Sequence, residues 1–118
     1  MSTRSNIAIK VMKDDYEKVS NTIGSTVNDE YPYIQIYSHA DGYPEHMFTE
    51  LMENFNNYAD ALKLVLQGNT SGVYKGVSEA YTKRGELFEN NAPWSTCKPT
   101  CDEQYLYVFE NNKWNCVE

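Results

Sequence analysis

The chain has 118 residues, of which 41% are hydrophobic and 14% aromatic, and it carries a formal net charge of −7. That is enough apolar material for one packed core, too much for a disordered chain, and too little length for a second domain, so residues 1–118 read as a single domain. The ten basic residues are scattered, which argues against the clustered Lys and Arg that direct nucleic-acid binding requires.

No apolar run approaches a membrane span, the longest helical candidate being Tyr58 to Gln67. The opening Met-Ser-Thr-Arg-Ser-Asn lacks the apolar core of a signal peptide. A soluble, intracellular protein is expected, and its acidic surface suits a basic protein partner.

In chain order, Asn6 to Met12 alternates well enough to predict a strand with Ile7, Ile9 and Val11 on one face. Residues 13–30 are polar and read as a long excursion, with a short helical turn over Asp14 to Val19. Tyr31 to Ser38 predicts a second strand, with Pro32 at an edge or first-residue position. After the loop, Pro44 suits a first helical position and Glu45 the positive end of the helix dipole.

Met47, Phe48, Leu51, Met52 and Phe55 then recur at helical spacing. Asn56-Asn57 interrupts, and Tyr58, Ala61, Leu62, Val65 and Leu66 predict a second helix stopped by Gly68. Val73, Tyr74, Val77, Ala80 and Tyr81 fit a third helix, weakened by Gly76 and ended near Gly85. Glu86 to Glu89 reads as a short strand and residues 90–103 as an irregular loop.

Gln104 to Glu110, Asn111-Asn112 and Lys113 to Val117 spell a two-residue β-hairpin. Its register sets Phe109 opposite Trp114 and Tyr107 opposite Cys116. Together these elements predict an α+β fold. Its sheet is antiparallel, made of the two N-terminal strands and the C-terminal hairpin, with two to three helices packed on one face.

Cys97, Cys101 and Cys116 make an odd number without zinc-site spacing. Plain thiols are the expectation in a reducing compartment. A Cys97–Cys101 or Cys101–Cys116 disulfide and a metal site are the alternatives.

The stretch His39-Ala-Asp-Gly-Tyr-Pro-Glu-His46 holds both histidines between a strand and a helix, where an exposed loop is held by rigid ends. Ser2-Thr-Arg-Ser-Asn-Ile-Ala-Ile9 together with Ile36-Tyr-Ser-His-Ala-Asp-Gly-Tyr-Pro-Glu45 resembles a family of small bacteriophage and prophage proteins. That family opens on a Ser-Thr-Arg-x-Asn-Ile strand and carries a His-Trp-Asp-Gly-Tyr-Pro-Glu loop before a helix. The likeness runs on through Leu51 to Phe55, through Leu66 to Ser71 and into the final hairpin, leaving out residues 13–30 and 86–103. Ala40 stands where the family has Trp, so an aromatic contact there is lost. The resemblance brings no chemistry. It implies origin: a phage accessory protein acting in the host bacterial cytoplasm, of a size at which such proteins often disable a host defence component.

His39, Asp41 and His46, with Glu45 or Glu50, could be metal ligands or an acid–base set. On a helical wheel, however, His46, Glu50 and Glu53 lie opposite the Met47/Leu51/Phe55 face and point to solvent. The plainer reading makes Asp41-Gly42 a tight turn in which Asp41 accepts backbone N–H bonds. A binding surface is the third reading. No nucleophile elbow, phosphate loop or His-Glu-x-x-His occurs, and neither cofactor nor metal is expected.

Tyr31, Tyr33, Tyr37 and Tyr43 crowd one strand and loop, and Tyr is a favoured interface anchor. The leading expectation is therefore a non-enzymatic protein that binds and inhibits a host factor such as a CRISPR-type defence component. Its contact residues would be Tyr37, His39, Asp41, Tyr43, Glu45, His46 and Trp94. Self-association as a homodimer stays open. A signalling-nucleotide sponge using Tyr37, Tyr43 or Trp94 with Arg4 or Arg84 is the alternative, and a metal-dependent hydrolase on His39, Asp41 and His46 a second.

Overall fold

The computed structural model describes residues 2–117. Ser5–Lys10 (β1) and Tyr33–Ser38 (β2) pair antiparallel, with Ile7 opposite Ile36 and Ile9 opposite Ile34. Period-two alternation therefore turns all four isoleucines to one face, where each is fully buried. The hairpin of Tyr105–Glu110 (β6) and Lys113–Val117 (β7) has the expected register, Phe109 facing Trp114 and Tyr107 facing Cys116. Asn111 and Asn112 both take positive φ, the type I′ turn that matches strand twist.

The sheet corrects the expected layout. β6 lies beside β1 in parallel, with Ile7 level with Tyr107 and Ile9 with Phe109, so the sheet is mixed rather than antiparallel. The predicted third helix is a second hairpin, Thr70–Tyr74 (β3) and Val77–Ala80 (β4). Lys75 and Gly76 form its turn, both at positive φ. Helical spacing at Val73, Tyr74 and Val77 was coincidental, and the signal that decided was Gly76 read as a turn rather than as a weak spot.

The short strand expected at Glu86 to Glu89 is replaced by a 3-10 turn over Phe88–Asn90. Inside the expected loop, Trp94–Thr96 (β5) pairs antiparallel with the first half of β2. The path through the sheet is β4-β3-β2-β1-β6-β7, with β5 flanking β2.

The polar excursion also holds more helix than expected. A 3-10 turn at Lys13–Asp15 leads into Tyr16–Ile23 (α1), which Gly24 ends at φ 74°. Met47–Asn54 (α2) starts three residues after Pro44, which instead opens a lead-in turn. Tyr58–Leu66 (α3) is capped by Asn57, whose side chain accepts from the Asp60 amide. Val19 and Ile23, Met47 and Leu51, and Leu64 and Val65 pack with the isoleucines, Tyr107, Phe109 and Trp114 in one cluster. The helices thus share one face of the sheet.

The reverse face carries Ala8, Leu106, Val108 and Tyr33 and is covered by the segment that precedes β6. Two buried amides hold that strap. Gln35 donates to the Thr100 carbonyl at 2.8 Å and accepts from its N–H at 3.1 Å. Asn6 accepts from the Asp102 N–H at 3.0 Å. No helix among the described residues is long and apolar enough to cross a membrane.

Candidate functional site

The 39–46 loop leaves the end of β2 and is clamped on three sides. Along one edge, the His39 and Ala40 N–H groups donate to the Thr70 and Ser71 carbonyls, which extends β2 along β3. On the other, the Gly42 N–H donates to the Thr3 carbonyl at 2.9 Å. From below, the Tyr107 hydroxyl donates to the Gly42 carbonyl at 2.6 Å. A Cβ on Gly42 would stand 2.6 Å from Ser5 Oγ and 2.9 Å from the Thr3 carbonyl, so only glycine fits.

Asp41 sits at φ 53°, a conformation that short polar side chains tolerate. Its carboxylate accepts from the Tyr74 hydroxyl at 2.6 Å, across to the β3–β4 hairpin, where backbone N–H groups of its own turn were expected. That hydrogen bond, with burial and the carboxylate's charge added, pushes the Tyr74 hydroxyl up to about 12.

The histidines do not converge. His39 shares a 2.6 Å hydrogen bond between Nδ1 and the Tyr37 hydroxyl. His46 does not point to solvent: it is half-buried, with Nε2 donating to the Val73 carbonyl at 2.8 Å and its ring 5.1 Å from that of Tyr74. A carbonyl can only accept, so the proton is on Nε2. The helical wheel failed here because α2 has a second neighbour, the β3–β4 hairpin, on the flank that a single-core picture leaves to water.

Glu50 lies on that flank. Its carboxylate accepts from the Lys75 and Gly76 N–H groups, each at 2.8 Å, and from the Asn54 amide at 2.6 Å. Burial alone would raise this carboxyl, but those hydrogen bonds and the nearby His46 hold it below its usual range. Glu50 thus seals the turn that Lys75 and Gly76 make. Sequence reading noted Glu50 only as a spare ligand and missed Tyr74 and Tyr107 as supports, because their partners are 25 to 65 residues away.

The seven candidates therefore fall into two groups. Tyr37 and Trp94 belong to the reverse face, since Trp94 pairs with Gln35 and Tyr37 follows two residues on, and His39 is tied to Tyr37. Asp41, Tyr43, Glu45 and His46 form the rim over the hairpin. Tyr43 is 38% exposed, its ring 6.2 Å from that of His46, and Glu45 is exposed beside it. Arg84, the proposed phosphate ligand, lies over the Tyr81 ring and pairs with Glu86 at 3.3 Å.

Among the described residues no three His, Cys, Asp or Glu side chains gather where they could hold a metal ion. Cys97, Cys101 and Cys116 are exposed thiols.

Compared with protein-family models, curated proteins and solved structures, the chain finds no match.

Proposed function

We propose that this chain is a non-catalytic phage accessory protein that binds and inhibits a host protein, a defence component of the CRISPR type, in the bacterial cytoplasm. One observation carries the reading. The Asp41 carboxylate and both imidazoles are engaged in holding the loop, Asp41 by Tyr74, His39 by Tyr37 and His46 by Val73, while the Tyr43 ring and Glu45 stand exposed on the rim. Groups fixed in this way serve shape rather than proton transfer. A preorganised aromatic on an acidic surface is what a docking site uses, because little freedom is lost on binding. The phage origin rests on the resemblance of the opening strand and the His39 to Glu45 loop.

The test is affinity capture from a bacterial lysate, followed by a titration of the purified partner. Tyr43→Ala should retain the fold and lose most of the captured partner. Equal capture by the variant and the parent overturns the reading.

A further inference from the structure

The geometry points to the outer face of α2 as the surface that meets the partner, and to a partner protein whose contact surface sets Lys and Arg around an apolar side chain. The inference rests on the docking reading of the Tyr43 rim and adds the partner's chemistry to it.

The helical ladder begins before α2 itself. The Met47 and Phe48 N–H groups donate to the Tyr43 and Pro44 carbonyls, so Glu45 already shares the helix register. At about 100° per residue, Glu45, Thr49, Met52 and Glu53 fall on one stripe, and all four are exposed. Met47 and Leu51, fully buried, lie on the opposite side. One flank is also taken, since His46 and Glu50 bind the β3–β4 hairpin. The outer stripe has no such cover. Neither Glu45 nor Glu53 makes a hydrogen bond or an ion pair among the described residues.

Charge then selects the occupant. Between Lys18 and Lys63 the chain has no Lys or Arg. The loop and α2 fall inside that gap and carry Asp41, Glu45, Glu50 and Glu53. Folding brings Lys75 to the hairpin flank, where its main-chain N–H serves Glu50, and Arg4 beside Thr3, whose carbonyl holds Gly42. Neither cation pairs with an acid of the loop or helix; the ion pairs among the described residues are Lys10 with Glu110, Lys13 with Asp29 and Arg84 with Glu86. The face keeps an uncompensated negative charge, which draws a cationic surface and repels an anionic one.

Charge alone would only keep the protein soluble. Two exposed apolar side chains turn the face into an anchor site: Met52 is 47% exposed within the stripe, and Tyr43 is 38% exposed at its head. Apolar anchors bordered by a polar rim are the layout of a protein interface, and Met adapts its shape to what covers it. Lys and Arg suit the partner's side twice over. Their aliphatic stems can lie on Met52 while their charged ends reach Glu45 and Glu53.

The experiment is an amide NMR titration of the full chain with a synthetic helix-forming peptide of Leu and Lys, beside the matching peptide of Leu and Glu. The Lys peptide should give saturable shifts centred on residues 43–53 that weaken as salt is raised, and the Glu peptide none. Glu45→Lys/Glu53→Lys should weaken that binding about tenfold or more, and Met52→Ala about threefold. Should the double variant lose its fold, Glu53→Gln, at an exposed position, carries the same comparison. Shifts centred elsewhere, an equal response to both peptides, or no saturable response overturns the inference. The titration of the purified partner separates it from the reading beneath it. Binding lost with Tyr43→Ala but kept by Glu45→Lys/Glu53→Lys overturns this inference alone, whereas binding untouched by either variant overturns both.

Discussion

The Tyr107 hydroxyl and the Gly42 carbonyl meet at 2.6 Å, joining the centre of the sheet to the loop across 65 residues of chain. Tyr107 is fully buried, and its ring stacks on Phe48 of α2 with centroids 6.1 Å apart. Burial raises its hydroxyl well above the usual tyrosine range, so it stays a donor at any physiological pH. The loop's shape is therefore set by the core rather than by the loop.

Tyr107→Phe should preserve the packing and leave the Gly42 carbonyl without its partner. The expected loss is about 1–3 kcal/mol of stability, the usual cost of an orphaned buried acceptor. Urea unfolding gives the energy, and hydrogen exchange should quicken at residues 40–43. Unchanged exchange there would mean that the bond does not hold the loop.

Gly42→Ala should be at least as damaging. The added methyl meets the Ser5 side chain and the Thr3 carbonyl inside contact distance, and overpacking of this kind costs about 1–3 kcal/mol. Thermal unfolding measures it. A neutral result would show that the N-terminal strand gives way.

Asp41 and Tyr43 should separate scaffold from surface. Asp41→Ala loses the Tyr74 bond and places alanine at φ 53°, for a cost of about 0.5–2 kcal/mol. Asp41→Asn tolerates that backbone and should recover part of the loss. Tyr43→Ala should change stability by no more than about 0.5 kcal/mol, yet weaken partner binding by more than about 1 kcal/mol. If Tyr43→Ala unfolds the domain, the ring belongs to the core and the docking surface lies elsewhere.

Stability should fall at both ends of the pH scale, for opposite reasons. The Glu50 carboxyl is depressed in the folded state, so its contribution is present above its ordinary value of 4.5 and fades as pH drops through the folded value. Tyr74 and Tyr33 are raised to about 12, Tyr33 by burial and then by Glu110. Their contribution is complete below the ordinary value of 10.0 and is lost as pH climbs from there towards 12. Urea midpoints across the range test this. Glu50→Gln should flatten the acid limb alone and Tyr74→Phe part of the alkaline limb alone.

Much of the architecture was legible because its signals are local. Alternation at Ile7, Ile9, Ile34 and Ile36, the Asn111-Asn112 turn and the apolar stripe of α3 each announce themselves within ten residues. What stayed hidden depends on distant partners. Nothing near Val73 says that Glu50 will cap the turn after it, so a helix-like spacing there won on sequence alone. The parallel pairing of β1 with β6 is likewise a matter of topology, on which local propensity is silent. The loop was located correctly as a structural feature, but its internal assignments were not: Asp41 serves the hairpin, and His46 turns inward.

β1 is the first strand in the chain, yet it lies between β2 and β6, and β6 begins only at Tyr105. Until the β6–β7 hairpin is synthesised, one side of β1 is an open row of backbone donors and acceptors. Such an edge invites pairing with another chain, and closing it joins strands far apart in sequence, which slows folding. On the ribosome, β1 must therefore wait for β6, and the aggregation risk is concentrated in that interval.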